Sequence, residues 1–247
     1  MNDLQKIAVV IDADNTQLAK LGEVLREVST HGRIIVKRAY GNWKKQVLRN
    51  WEDELKRLAI KPEQQFDYVT GKNTTDMALV IDTIELLHKA IYDAFVIVSS
   101  DSDYTPLAIK LRESDVYVIG VGEKKTPESF RNSCDEFIFL ENLSINVDNE
   151  LSKENVTNIS SDAINANDSI NEIHKLLKIA SDTYQDDDGY VNVSAAGTFI
   201  KRTKPDFDAR SYGYLKLPQL LEAFPQKYEM KRYPGKGKVT IVAYKCK

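Results

Sequence analysis

Over residues 1–142, short apolar runs alternate with segments whose apolar positions recur at helical spacing. Lys6–Ile11 (KIAVVI), Arg33–Tyr40 (RIIVKRAY), Ala94–Ser99 (AFVIVS), Val116–Val121 and Phe137–Leu140 have the length and β-branching of strands. A brief further strand is expected around Phe66–Val69. Between these runs the periodicity predicts helices over Thr16–Val28, Lys44–Ala59, Asp76–Ala90, Tyr104–Glu113 and Glu128–Asn132. The alternation predicts an α/β fold, a parallel sheet with helices on both faces.

The pattern lapses over 143–169, a stretch rich in Asn and Ser with few aromatics, which is expected to be a flexible linker. Helical spacing returns at Ile170–Ala180 (INEIHKLLKIA). A strand-like Tyr190–Val193 and helices at Ala195–Thr203 and Tyr212–Phe224 follow. The chain ends on two strand-like runs, Lys227–Tyr233 and Val239–Tyr244, around a Pro-Gly-Lys-Gly-Lys turn. Three helices and a terminal hairpin describe a small winged-helix-like α+β domain over 170–247. No internal repeat is present.

Charge sharpens this division. The net charge of −3 conceals +8 from Lys201 to Lys247, with 12 Lys/Arg against 4 Asp/Glu, and −11 over the rest. A basic tail on an acidic body points to an anionic partner. No apolar run approaches the roughly 20 residues of a membrane span. The first residues, MNDLQKIAVVID, lack the architecture of a cleavable leader, so no membrane partner and a cytoplasmic location are expected. Cys134 and Cys246 lie far apart, as do His31, His88 and His174, which argues against zinc and histidine-based hydrolysis. A metal bound here would be a hard ion held by oxygen.

Carboxylates are what the sequence clusters. Asp12 ends the first strand, Asp101 and Asp103 follow the Ala94–Ser99 strand, and Asp76 opens a helix. Ligands of open parallel sheets bind beyond the carboxyl ends of the strands, where strand order reverses, and all four aspartates are expected at that edge. Two carboxylates about 4 Å apart repel by roughly 4 kcal/mol at an effective dielectric near 20. Mg²⁺ or Mn²⁺ would relieve that repulsion and activate water against a phosphodiester. Each aspartate alone has a structural alternative: Asp103 as a helix cap, Asp76 at a helix's positive end, Asp12 orienting a turn.

The neighbours are weaker candidates. Asn15 is placed to fix Asp12 or touch phosphate, or simply to cap a helix. Lys72 is a candidate phosphate or carboxylate contact, or a solvated loop lysine. Asp14 has the character of a cap and Asp82 that of a solvated or supporting group. Ser99 and Ser100 are expected to bond the local backbone, with no base to make either a nucleophile. Arg38, Lys44, Lys45 and Arg49, interleaved with Tyr40 and Trp43, form a candidate nucleic-acid track.

Four ordered segments carry a family resemblance. Val9-Val10-Ile11-Asp12-Ala13-Asp14-Asn15, Lys72 to Asp76 and on to Asp82, Ser99-Ser100-Asp101-Ser102-Asp103-Tyr104-Thr105-Pro106-Leu107, and Ser129–Phe137 resemble the NYN domain of the LabA-like group, within the PIN-like nucleases. The second segment departs from the pattern, with Lys-Asn-Thr-Thr-Asp where many members have Lys-Gly and a shorter approach to the aspartate. The resemblance implies a Rossmann-like sheet of order 3-2-1-4-5 and RNA cleavage dependent on Mg²⁺ or Mn²⁺. By motif position it gives Asp12, Asp76, Asp101 and Asp103 the metal-site and catalytic role, and Asn15 an accessory one.

Residues from about 170 to 245 resemble the OST-HTH (LOTUS) domain. The resemblance is carried by Gly189-Tyr190-Val191-Asn192-Val193-Ser194, Phe199-Ile200, Pro205-Asp206-Phe207 and Gly213-Tyr214-Leu215-Lys216-Leu217 leading to Leu220-Leu221. It implies RNA binding, and in some members docking of an RNA helicase or other protein. Lys201, Arg202, Lys204, Arg210, Lys216, Lys236 and Lys238 are then candidate RNA contacts. The expected function is a metal-dependent ribonuclease with a tethered RNA-binding domain. The alternatives are a non-catalytic RNA-binding regulator or adaptor and a phosphatase on the same sheet. A dinucleotide enzyme is disfavoured because Ala13-Asp14-Asn15 replaces a glycine-rich turn.

Overall fold

A computed structural model describes residues 4–67, 74–146, 163–235 and 240–247, with side chains described outside 144–146 and 163–169. The chain divides into two compact units, Met1–Ser144 and Ile145–Lys247.

The first unit is built on β1 (Leu4–Asp12), α1 (Leu21–Ser29), β2 (Gly32–Gly41), α2 (Trp51–Leu58), β3 (Lys61–Gln64), α3 (Thr74–His88), β4 (Ala94–Val98), α4 (Thr105–Glu113), β5 (Tyr117–Gly122), α5 (Glu128–Ser133) and β6 (Glu136–Phe139). Its six strands are parallel in the order β3-β2-β1-β4-β5-β6. This is the expected 3-2-1-4-5 sheet with one more strand at the β5 edge.

The alternation of side chains along each strand explains the two-sided packing. Ile7, Val9 and Ile11 of β1, with Val96 of β4 and Ile119 of β5, meet Val24 and Val28 of α1 and Trp51 and Leu55 of α2. Ala8 and Val10, with Phe95 and Ile97, meet Leu79 and Leu86 of α3, Leu107 and Leu111 of α4 and Phe130 of α5. The pattern of α3 is only partly a core stripe, because Met77 and Ile81 are exposed.

Of the strand expected around Phe66–Val69, Tyr68 and Val69 lie outside the described residues, and Phe66 and Asp67 are not in a strand. The observed β3 is Lys61–Gln64, and Phe66 lies outside it and is half exposed. An edge strand that pairs only with β2 buries little, so it needs no apolar run and tolerates Pro62. The expected linker, 143–169, lies largely outside the described residues; its ends are helical, in a 3-10 turn at Leu140–Asn146 and from Ala163 onward.

The second unit comprises α6 (Ala163–Tyr184), β7 (Val191–Asn192), α7 (Val193–Thr203), α8 (Leu217–Glu222), β8 (Tyr228–Pro234) and β9 (Thr240–Cys246). Its antiparallel sheet has the order β7-β9-β8. Ile173 and Leu177 of α6, Ile200 of α7, Leu220 and Leu221 of α8 and Tyr244 of β9 form its core. The expected Tyr212–Phe224 helix is observed only over Leu217–Glu222; Tyr212 instead closes a 3-10 turn at Ala209–Tyr212, ended by Gly213 at φ 84°. A left-handed residue there breaks the helix into two.

β1 is the strand where the sheet's order reverses, so the crevice beyond the β1 and β4 ends is the position ligands take in such sheets. The end of β5 closes against the same place. A Cβ at Gly122 would lie 2.7 Å from the Ser99 carbonyl oxygen and 2.7 Å from Thr126 Oγ1. Gly122→Ala therefore forces backbone to move. It is expected to lower the stability of this unit by about 1–3 kcal/mol, measured by urea denaturation.

Candidate active site

The site begins with strand register. Ile11 of β1 pairs with Val98 of β4, so Asp12 and Ser99 emerge side by side at the carboxyl edge. Asp12 is fully buried. Its Oδ1 accepts hydrogen bonds from the backbone N–H groups of Asp14 (3.0 Å) and Asn15 (3.3 Å). Its Oδ2 accepts from Asn15 Nδ2 and from Ser99 Oγ, both at 2.9 Å. Burial holds the Asp12 carboxyl above its ordinary range, against the hydrogen bonds from Asn15 and Ser99, and the charge of Asp76 pushes the same way as burial.

Ser99 carries the arrangement to the next loop. Its hydroxyl, while donating to Asp12, accepts the Asp101 N–H at 3.0 Å. Asp101 Oδ1 in turn accepts the Asp103 N–H at 2.9 Å, so Asp101 caps the 3-10 turn Ser102–Tyr104. The capping role foreseen for Asp103 thus falls to Asp101, and Asp103 is exposed in the first turn.

Asp76, in the first turn of α3, accepts a hydrogen bond from the buried Tyr104 hydroxyl at 2.7 Å. Its carboxyl is also held above the ordinary range, chiefly by burial, with the charges of Asp101, Asp103 and Asp14 adding to the effect. Burial and the charges of Asp12 and Asp76 raise the Tyr104 hydroxyl too, so it stays protonated and serves as a donor. The predicted aspartates therefore feel one another's charge. Among the described residues, however, no three acidic, histidine or cysteine groups converge as a ready-made ion cage.

Asp14, Asn15 and Asp101 line an open cleft of about 390 Å³ with Thr16, Gln17, Ser100 and Glu123. Asp12 is sealed outside this lining, and Asp76 and Asp103 do not contribute to it. Ser100 Oγ accepts the Glu123 N–H at 2.9 Å, and Gln17 Nε2 donates to Glu123 Oε1 at 3.0 Å. Glu123 and Tyr104 escaped the sequence-based selection. Glu123 sits just past a strand end, the criterion that found Asp12; Tyr104 carried no local signal.

At the rim, Lys45 Nζ lies 3.6 Å from Asp14 and 3.4 Å from Asp67. Lys44 stands over the Phe66 ring at 5.1 Å. Two other members of the expected track are turned away. Arg38 Nη1 pairs with Asp82 at 2.5 Å, and the buried Tyr40 hydroxyl donates to the same carboxylate. Strand alternation sends positions 38 and 40 to the α3 face, where Asp82 is a structural counter-ion. Trp43 packs on Trp51, 5.9 Å between centroids. Lys72 lies outside the described residues.

In the second unit, Arg202 and Lys216 are exposed. Lys204 sits 3.3 Å from Glu172, and Arg210 Nη2 lies 2.8 Å from Asp208, so these two carry internal counter-ions. Lys201 is partly buried, and Lys236 and Lys238 lie outside the described residues.

The family model described as NYN domain matches residues 6–141, more than half of the sequence. The chain belongs to the NYN domain family. An OST-HTH/LOTUS domain matches residues 168–240 and follows the NYN domain along the chain. NYN is a PIN-like nuclease domain, and OST-HTH/LOTUS is an RNA-binding domain. Among solved structures, the crystal structure of a protein of unknown function from Vibrio parahaemolyticus is similar to 56% of this chain and 94% of its own, with 15% identity and a TM-score of 0.47. No curated protein matches. No helix among the described residues is long and apolar enough to cross a membrane.

Within the NYN domain, Ser99 is the shared hydroxyl between the buried carboxylate and the Asp101 loop. Ser99→Ala leaves Asp12 Oδ2 one donor short. A buried group that loses its partner costs about 1–3 kcal/mol, which urea denaturation will register. The Asp12 carboxyl is expected to titrate higher still, as read by carbon NMR of the side chain.

Proposed function

We propose that this protein is a divalent-cation-dependent ribonuclease whose NYN domain cuts RNA held by the OST-HTH/LOTUS domain. The observation that supports this is that carboxylates from three chain segments, Asp12, Asp76 and the Asp101–Asp103 loop, lie near enough at the carboxyl edge of the sheet for Asp76 to feel the charge of Asp101 and Asp103 and to act on Asp12.

The donor chemistry suits a hard cation. Burial and mutual charge raise Asp12 and Asp76, so both are acids without sufficient positive compensation. A Mg²⁺ or Mn²⁺ ion that keeps several waters would be held by Asp101, with Asp76, Asp103 and Asp12 supporting. When bound, such an ion supplies Lewis-acid polarisation of a phosphodiester and lowers the acidity barrier of attacking water. The chain's own groups do the rest. Asn15 and Ser99 fix Asp12, and Tyr104 fixes Asp76. Lys45, Lys44 and Arg49, with Phe66, offer positive charge and a ring to an incoming strand. Arg202 and Lys216 are the exposed candidates for holding RNA in the second unit.

The alternative, a non-catalytic RNA-binding adaptor, is favoured by one fact: no three described ligands already converge. Labelled RNA incubated with the full chain, with and without Mn²⁺, separates the two. Cleavage is expected only with the ion, and Asp101→Asn is expected to abolish it while leaving RNA binding within about twofold. RNA bound but intact at every Mn²⁺ concentration would establish the adaptor, and full cleavage by both Asp101→Asn and Asp12→Asn would refute the site.

The pKa directions set a second expectation. A carboxyl raised in the folded state stabilises the fold while protonated, below the unfolded value of 3.8, and that contribution is lost as pH rises through the folded value. Above that point the ionised pair is a liability that a cation relieves. Mg²⁺ or Mn²⁺ should therefore raise the melting temperature, more at pH 7 than at pH 4.5, because protons and cations compete for the same oxygens. A scan with calcium-free buffers at both pH values checks this; an equal shift at both would sink it.

A further inference from the structure

The second unit carries a basic pocket away from the lysines and arginines singled out by sequence. It encloses about 680 Å³ between α6 and the β8–β9 hairpin. Lys175 and Lys178 line it from α6, Lys227 and Tyr228 from the start of β8, and Lys247 from the end of the chain, with His174 on the inner side. No aspartate or glutamate lines it.

The charges here differ from those elsewhere on the unit. Lys204, Arg210, Lys231 and Arg232 each have a carboxylate at hand. Lys175, Lys178 and Lys227 are exposed. Among the described residues none of these three has an ion-pair partner, and Lys227 only stands over the Phe224 ring at 5.8 Å. Lys247 Nζ donates to the Pro225 carbonyl at 2.7 Å, so it is already engaged. Lys175 and Lys178 are three residues apart on one helix, a like-charge spacing that costs a few tenths of a kcal/mol when nothing offsets it.

The inner wall is polar and buried. His174 is 9% exposed, its Nδ1 is 2.7 Å from the Tyr228 hydroxyl, and its Nε2 is buried with no hydrogen-bond partner. Burial, then the charge of Lys227, lowers the histidine's pKa, so the ring is neutral at pH 7 and holds one proton. Where Tyr228 donates to Nδ1, that proton is on Nε2. An unpaired polar atom of this kind points to a missing partner.

We propose that this pocket binds a phosphate group, of an RNA chain or of a free nucleotide, through Lys175, Lys178 and Lys227 beside the His174–Tyr228 pair. Lysine ammoniums bind phosphate as point charges, and the volume is in the range of small-ligand sites. The site lies wholly within the second unit, so it is independent of the nuclease assignment.

The test uses the full chain with chelator present, which prevents any cleavage. His174 imidazole signals are followed by proton–nitrogen NMR while four probes are added: inorganic phosphate, adenosine 5′-monophosphate, and a single-stranded RNA oligonucleotide with a 5′-phosphate or a 5′-hydroxyl. The pocket variant is Lys175→Gln, Lys178→Gln and Lys227→Gln together. A charge-matched control carries Lys231→Gln, Arg232→Gln and Lys245→Gln, none of them a candidate RNA contact. All six positions are exposed, so both variants should fold, as circular dichroism will verify.

At least one probe is expected to move the His174 signals in the parent and the control, with the response lost in the pocket variant. If RNA is the source, its affinity should fall about tenfold in the pocket variant, and the salt slope should flatten by about 2. Response to both oligonucleotides marks an internal phosphate, response only to the phosphorylated one marks a chain end, and response only to the small anions marks a free nucleotide. Silence of His174 to all four probes, or a pocket variant that responds like the parent, would overturn the proposal.

Discussion

Everything at the carboxyl edge of the sheet depends on keeping one buried carboxylate, Asp12, in place. A charge with no solvent contact is costly unless donors surround it. Asp12 receives four, two from the backbone of the turn it begins, one from Asn15 and one from Ser99. The first three fix the turn after β1, and the fourth ties that turn to β4. Because Ser99 also accepts the Asp101 N–H, the loop bearing Asp101 and Asp103 is positioned by the same hydrogen-bond chain. The parallel register of β1 and β4 makes this possible, and the doubly wound core on both faces of the sheet fixes that register.

How much of this was legible follows from what each residue depends on. Asp12 and Asp101 could be found because strand ends are visible as the ends of apolar runs, and the fold class assigns those ends to one edge. Asn15 was legible as a partner of Asp12 because they are three residues apart. Tyr104 was not: its hydroxyl meets Asp76 only after α3 and the turn before α4 have packed together, a contact 28 positions apart. Arg38 and Tyr40 looked like a nucleic-acid track because charge and aromatics were adjacent in sequence. Strand alternation put them instead against Asp82, which serves as their counter-ion. β3 failed as an apolar run because an edge strand buries too little to need one.

In the second unit the sign of the charge was readable and its distribution was not. An excess of lysine and arginine says nothing of which cations have carboxylates beside them. Folding gives Lys204 and Arg210 internal partners, while Lys175 and Lys178, in a segment outside the basic tail, are left without any. Net charge along the chain is thus a poor guide to where an anion meets a protein. What decides it is the positive charge remaining after internal pairing, and that needs coordinates.

The two units pose complementary electrostatic problems under the proposed function. RNA is a polyanion, and the NYN edge presents carboxylates held above their ordinary range by burial and by one another. A phosphodiester approaching that edge would add negative charge to a place already short of positive charge. Lys45 at the rim is shared between Asp14 and Asp67 and cannot offset the inner acids alone. A divalent cation changes the sign of the problem, because the charge that lets Asp12 and Asp76 ionise also attracts the phosphate. The basic segment Lys201–Lys247 of the second unit, with net charge +8, would supply attraction without demanding that the cleft itself be basic. Under that proposal the labour divides between an acidic cluster that a cation would relieve and a basic segment that would attract an anion, whichever RNA the protein meets.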